Sequence, residues 1–395
     1  MMKPDQFLGR QALRALHAEL VLEPKPGLVS LRDPGSHHDM DAGTFMRSLF
    51  ALRHYFAAIA RAGAAGAPFP HLQALGLQAE ARMLAATHGV NTHRGAVFGL
   101  GLLCASAGRL RALGQPLDAA SLQDTLQRTW GDALRERARL ARERTPRSHG
   151  ERAARHHGLR GAGDEAAEAF PTLFHTTLPV LLQATQQGWP RRSARVQALF
   201  ATLAVLDDTN LVHRGGIEGL RFARHAAQDF LAAGGAARPD WLAHARAVHA
   251  AFVARRLSPG GSADLLGMAC WCASVCETVT ANPAKDLAGY DSPIHGIPPF
   301  ALSLSKGPSI LSLPKDLSLS KGRCAWHQGS LRQAQGDRKY KLSPNGAKSG
   351  GGEHHPWPSP ARPELVEGPE HPELVEGPVC TAPGYRPSAA LVRPR

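Results

Sequence analysis

Across roughly the first 280 residues, apolar side chains recur every three or four positions, and no stretch alternates apolar with polar. That spacing lines one face of a helix and cannot line one face of a strand, so it excludes a sheet-built core. In Gln6–Val21, Phe7, Leu13, Leu16 and Leu20 fall near one face before Pro24 and Pro26 stop the run. Further helical runs are expected over 42–61, 72–87, 96–107, 117–144, 164–187 (broken near Pro171 and Pro179), 193–206, 217–233, 239–256 and 264–280. Pro146–Gly163 reads instead as a basic, glycine-containing loop, a mobile flap. The expected fold is all-α, one helical-bundle-like catalytic domain over residues 1–290.

Residues 291–395 differ in kind. Ser-Leu-Ser-Lys-Gly stands at Ser303–Gly307 and again at Ser318–Gly322, and Pro-Glu-Leu-Val-Glu-Gly-Pro at Pro363–Pro369 and Pro372–Pro378. These repeats are too short to stack as a solenoid and sit in Pro- and Gly-rich sequence without periodicity, so a disordered low-complexity tail is expected. They look like translated intergenic palindromes, an extension of the reading frame by repeat DNA.

The formal net charge of +13 favours anionic partners, while aromatics at 6% offer few platforms for stacking bases, so nucleic acid is not the expected partner. No apolar run reaches the ~18–20 residues a membrane span needs. Six cysteines without a secretory signal fit reducing cytoplasm better than a disulfide framework.

Chemistry concentrates where apolar runs end. Leu199–Leu206 gives way to Asp-Asp-Thr-Asn-Leu-Val-His-Arg-Gly-Gly at Asp207–Gly216, and a partial echo, Gly-Val-Asn-Thr-His-Arg-Gly, stands at Gly89–Gly95. Charged groups beside a buried segment are costly unless they are paired or bound. Asp39 and Asp41, in Gly-Ser-His-His-Asp-Met-Asp, either cap the helix that follows or, with Asp207 and Asp208, hold Mg²⁺. Lys25, fixed between Pro24 and Pro26, serves as a phosphate contact or as a solvated lysine in a helix-ending turn. Arg94, Arg214 and the Gly260-Gly261-Ser262 turn are further phosphate contacts. No P-loop and no dinucleotide fingerprint is present.

Taken in order, Glu-Pro-Lys-Pro-Gly-Leu-Val, Gly-Ser-His-His-Asp-Met-Asp, Gly-Val-Asn-Thr-His-Arg-Gly, Asp-Asp-Thr-Asn-Leu-Val-His-Arg-Gly-Gly and Ser-Pro-Gly-Gly-Ser-Ala-Asp-Leu-Leu resemble the triphosphoribosyl-dephospho-coenzyme A synthases over residues 6–282. The wording of Ser30–Phe56 looks more like the malonate decarboxylase branch than the citrate lyase branch. The resemblance implies that ATP and 3′-dephospho-CoA give 2′-(5″-triphosphoribosyl)-3′-dephospho-CoA and adenine, the former being the precursor of a prosthetic group that a downstream transferase places on an acyl-carrier subunit. The ribose C1–N9 bond breaks through an oxocarbenium-like transition state, by analogy with glycosyl transfer. Implied roles are Mg²⁺ at Asp39, Asp41, Asp207 and Asp208, with one of these or Glu80 as base. Lys25, Arg94 and Arg214 clamp phosphates, and Asn91, His93, Asn210 and His213 orient ribose or adenine, one histidine donating a proton. One departure stands out: the family's Gly-Ala-Arg-Gly-Glu-Ala and Gly-Phe-Pro are here Gly161–Ala166, without the arginine, and Ala169-Phe170-Pro171. Arg160 lies just upstream as a substitute, and Glu165 is retained. Two other readings are an all-α Mg²⁺-dependent ADP-ribosyl hydrolase and a non-enzymatic basic module that binds nucleotides or nucleic acid.

Overall fold

The computed structural model describes residues 2–146 and 148–276, so the expected boundary near residue 290 and the repeat-bearing tail lie outside the described residues. The described residues form α1 (Pro4–Leu20), α2 (Ala42–Ala51), α3 (Tyr55–Ala64), α4 (Phe69–Ala86), α5 (Arg94–Ala112), α6 (Ala119–Glu143) and α7 (His149–His157). There follow α8 (Ala162–Ala167), a π-turn at Leu173–Thr177, α9 (Leu178–Gln186), α10 (Arg191–Val205), α11 (Thr209–Ala232), α12 (Trp241–Ala254) and α13 (Gly260–Val275). No strand occurs among the described residues. The all-α expectation is met.

At the centre α1, α3, α5 and α13 pack on one another, and α10 joins α13 to α9 and α11. The centre of α13 is apolar on every side and wholly enclosed, from Leu265 through Cys272. Its Trp271 is fully buried, and the indole N–H donates to the Leu8 carbonyl at 3.1 Å, which satisfies the one polar atom the ring carries inward. α3 and α5 meet backbone to backbone. A Cβ on Gly63 would fall 2.0 Å from the Ala105 carbonyl oxygen, and one on Gly108 would fall 1.9 Å from that of Ala60.

Three elements differ from the sequence reading. The run 42–61 is two helices, with a break at Leu52–His54. Leu49, Leu52, Phe56 and Ile59 keep helical spacing across it, so the pattern carries no mark of the bend. The expected flap contains α7, which is capped by Ser148, whose Oγ accepts from Glu151 N–H at 3.1 Å; the helix packs on α11. Finally, α11 begins at Thr209, with Asp208 as N-cap, and not near Ile217. The polar stretch is its first turns, and the backbone leaves helical geometry at Gly216 (φ 63°, ψ −168°).

Candidate active site

The first turns of α11 and α13 are joined through one carboxylate. Asp208, 2% exposed, caps α11 by accepting from Asn210 N–H at 3.1 Å on Oδ1. Its Oδ2 accepts from the Ser262 N–H at 2.8 Å and the Ser262 hydroxyl at 3.0 Å. Burial pushes this carboxyl above its ordinary value against the pull of those donors and of Gly261 N–H. The glycines allow the approach: a Cβ on Gly261 would sit 3.2 Å from Asp208 Oδ2, and one on Gly260 would sit 2.9 Å from Asn210 Nδ2. Of the N–H groups expected to face phosphate, those of Gly261 and Ser262 thus serve Asp208, and that of Gly260 donates to the Ser258 carbonyl at 3.1 Å.

One turn on, Asp264 joins α13 to α5. Its Oδ2 would lie 1.9 Å from a Cβ on Gly95, and its carboxylate accepts from Ala96 N–H. Desolvation first, then the charges of Glu19 and Asp208, hold the Asp264 carboxyl well above the aspartate range. Through α13 the two polar junctions, Asp207–Gly216 and Gly89–Gly95, become parts of one centre.

Lys25 enters from beside α1. It is 2% exposed, and its Nζ donates to the Glu19 carboxylate at 2.6 Å and the Glu19 carbonyl at 2.8 Å. Burial lowers its pKa while Glu19 opposes that shift. His249 Nδ1–H donates to the Lys25 carbonyl at 2.6 Å and so holds the loop. His93, 3% exposed, has Nδ1 2.7 Å from Ser48 Oγ and its ring edge-on to Phe45. Its Nε2 is enclosed and lacks a hydrogen-bond partner among the described residues. Burial, then the charge of Lys25, brings its pKa down to about 3, so the ring is neutral at pH 7.

Around this centre stands a more exposed rim. Arg94 is paired with Glu80, Nε to Oε1 at 2.5 Å, and its N–H donates to Asn91 Oδ1 at 3.1 Å. Arg214 donates to His37 Nδ1 at 2.9 Å and to the Ser36 carbonyl at 3.1 Å. Guanidinium only donates, so His37 carries its proton on Nε2 and donates to Ser258 Oγ at 2.8 Å. Burial, then Arg214, lowers His37 to about 4. Asp39 is exposed and 3.5 Å from His37 Nδ1, while Asp41 caps α2, accepting from Thr44 N–H at 2.8 Å. His213 is exposed and stacks on His149 of α7 at 3.9 Å between centroids.

Asp207 is held differently from its neighbour. It pairs with Arg224 at 2.6 Å and accepts the Arg160 N–H at 3.0 Å, which ties the segment between α7 and α8 to the start of α11. Arg160 also donates to Glu168 at 2.6 Å and reaches to 3.6 Å from Glu165. Glu165 is buried and accepts from Thr172 N–H and Oγ1 at 3.2 and 3.0 Å. Ala169 sits at φ 54°, a backbone that favours glycine.

The four aspartates considered for metal do not gather: no three His, Cys, Asp or Glu among the described residues are grouped to hold an ion. Asp39 and Asp41 are exposed carboxylates, and hydrogen bonds from Thr44 N–H and Oγ1 hold Asp41 below the usual range. Hard carboxylate oxygens of this kind fit an Mg²⁺ that keeps waters and phosphate oxygens as its other ligands. Sequence reading missed Glu19, since a glutamate within an amphipathic helix looks solvated. Asp264 stood out there only as a member of Ser-Pro-Gly-Gly-Ser-Ala-Asp-Leu-Leu, and Ser48 not at all.

The model of the family described as ATP:dephospho-CoA triphosphoribosyl transferase matches residues 5–282. A protein of Acinetobacter calcoaceticus with the printed name "Probable 2-(5''-triphosphoribosyl)-3'-dephosphocoenzyme-A synthase" is 40% identical over 257 residues, covering 65% of this chain and 87% of that protein. The synthase of that name from Klebsiella pneumoniae is 40% identical over 266 residues (65% of this chain, 86% of the relative). The one from Pectobacterium atrosepticum is 39% identical over 267 residues (66% and 86%). No solved structure matches.

Proposed function

The chain belongs to the ATP:dephospho-CoA triphosphoribosyl transferase family and is a transferase of the triphosphoribosyl-dephospho-CoA synthase kind, and from this premise we propose how its residues divide the work. A hydroxyl of dephospho-CoA forms a bond to ribose C1 as the C1–N9 bond to adenine breaks. The hydroxyl proton passes to a base, and adenine takes a proton as it leaves. The observation that carries this reading is the acid pair on α13 and α11, Asp264 half-buried and Asp208 buried. Asp208 is fixed by donors on both oxygens and is suited to take the hydroxyl proton. Asp264, whose carboxyl is held well above the aspartate range by desolvation and by two neighbouring carboxylates, is suited to give one to adenine. Lys25 offsets Glu19 through their ion pair, and Asp208 then adds negative charge where the ribosyl carbon turns positive. Arg94 and Arg214, at the rim, clamp the triphosphate. Mg²⁺ would be held by Asp39 and Asp41 together with phosphate oxygens, neutralising phosphate charge.

Incubation with ATP, Mg²⁺ and dephospho-CoA should release adenine only when the acceptor is present. Adenine release without acceptor, with free ribose triphosphate as product, would instead make it a hydrolase. The wording of Ser30–Phe56 supports malonate decarboxylase as the enzyme served, with its acyl-carrier subunit as the final recipient. Disrupting the gene in the source organism should abolish growth on malonate and spare growth on citrate; the reverse pattern moves the chain to the citrate lyase branch.

A further inference from the structure

A cleft apart from the Asp208 centre opens between the end of α1 and the first turn of α10. It encloses about 480 Å³, within the range of small-ligand sites. Among the described residues its walls include Arg32, Arg192 and Arg195 with the carboxylate of Glu23, and Leu22 and Leu31 as apolar lining. Glu23 cannot neutralise that wall. It lies 3.4 Å from Arg32, 3.5 Å from Arg192 and 3.6 Å from Arg246, all longer than the ~2.7–2.9 Å of a strong ionic hydrogen bond.

The arginines are also partly fixed, unlike those of a solvated helix face. Arg192 donates from Nε to the Glu23 carbonyl at 2.5 Å and lies over the Trp241 ring at 5.8 Å. Arg195 is half-buried against Cys270 of α13. The start of α10 adds to the positive field: its N-cap is Pro190, and Ser193 Oγ donates to the Pro190 carbonyl, so no side chain there caps the helix. Gathering like charge costs stability unless an anion offsets it.

We propose that this cleft binds a phosphoanhydride chain, a diphosphate or triphosphate, with Leu22 and Leu31 against whatever group the chain carries. The inference does not depend on the division of catalytic labour above. The chain's source is either the diphosphate of the acceptor or a free nucleotide or inorganic polyphosphate.

The test is calorimetric titration of the full chain with inorganic tripolyphosphate and, separately, with dephospho-CoA, in low and high salt. The Arg32→Gln/Arg192→Gln variant should lose one tripolyphosphate equivalent or bind it at least tenfold more weakly, while still unfolding in one cooperative transition. Single Arg32→Gln, a change to a side chain 77% exposed, should show part of that loss and cannot unfold the protein. Arg94→Gln/Arg214→Gln, which removes the clamp of the catalytic centre, should retain the equivalent. A parallel loss of dephospho-CoA affinity identifies the acceptor's diphosphate as the source; loss confined to tripolyphosphate identifies a free polyphosphate. Tripolyphosphate binding that matches the parent in both Arg32 variants overturns the proposal, as does loss only in the Arg94/Arg214 variant.

Discussion

Asp208 is met by donors on both oxygens: two backbone N–H groups and a hydroxyl, with Gly261 N–H beside them. Asparagine has the same shape but would turn an NH₂ toward one of them. Asp208→Asn should therefore cost about 1–3 kcal/mol of stability, read by urea titration, and lower adenine release by about 10²–10⁴-fold. At Asp264, where Ala96 N–H alone opposes a carboxyl held well above its ordinary value, against four donors at Asp208, the same substitution should act oppositely on stability. An acid with a raised native pKa binds its proton more tightly folded than unfolded, so it destabilises the fold as pH rises above the ordinary aspartate value of about 3.9. Asp264→Asn should thus melt higher than the parent at pH 7–8, converge with it at acid pH, and fail to release adenine. His93 has the reverse sign. Its native pKa of about 3 lies below the ordinary 6.5, so the unfolded chain takes up the proton first as pH falls. Stability from His93 is complete above about pH 6.5 and drains toward pH 3. His93→Gln should flatten the pH dependence of the urea midpoint across that window. At this scale the sequence was informative about residues at helix ends, because a polar group next to an apolar run is conspicuous. It was silent about Glu19, whose enclosure depends on Lys25 folding back from a separate loop.

Helices were legible in proportion to how far apolar spacing alone specifies them. α1, α6 and α10 end close to where periodicity fails, but α7 offers little apolar spacing and holds its place by capping and by packing on α11. The polar stretch Asp207–Gly216 hid a helix start for a related reason: capping by Asp208 and docking on α13, both long-range, favour helix where composition suggests loop. Gly216 then breaks α11 with a backbone that is almost exclusive to glycine, in open space with nothing within 4 Å of where a Cβ would stand. Gly216→Ala should therefore cost about 1–3 kcal/mol through backbone strain alone, measured by thermal or urea unfolding. A loss near zero would mean that the kink relaxes freely.

For the molecule as a whole, family similarity and described structure cover nearly the same stretch, residues 5–282 for the first and residues 2–146 with 148–276 for the second. A chain ending at residue 299 should retain adenine release within about twofold of the full chain, a margin below the ~0.5 kcal/mol typical of neutral surface changes. Large loss would assign the remaining residues a part in catalysis. The all-α architecture was legible because a helical period excludes sheets without any knowledge of partners. The echo between Gly89–Gly95 and Asp207–Gly216 hinted at one centre, but nothing local says that α13 will bring Asp264 to Gly95 and Ser262 to Asp208.

The contact between α3 and α5 has a genetic consequence. The atoms that would oppose a methyl at Gly63 or Gly108 belong to the Ala105 and Ala60 backbones, which every amino acid shares. No replacement of the facing residue can make room, so revertants of Gly63→Ala should restore glycine itself or carry compensating changes elsewhere, never at position 105.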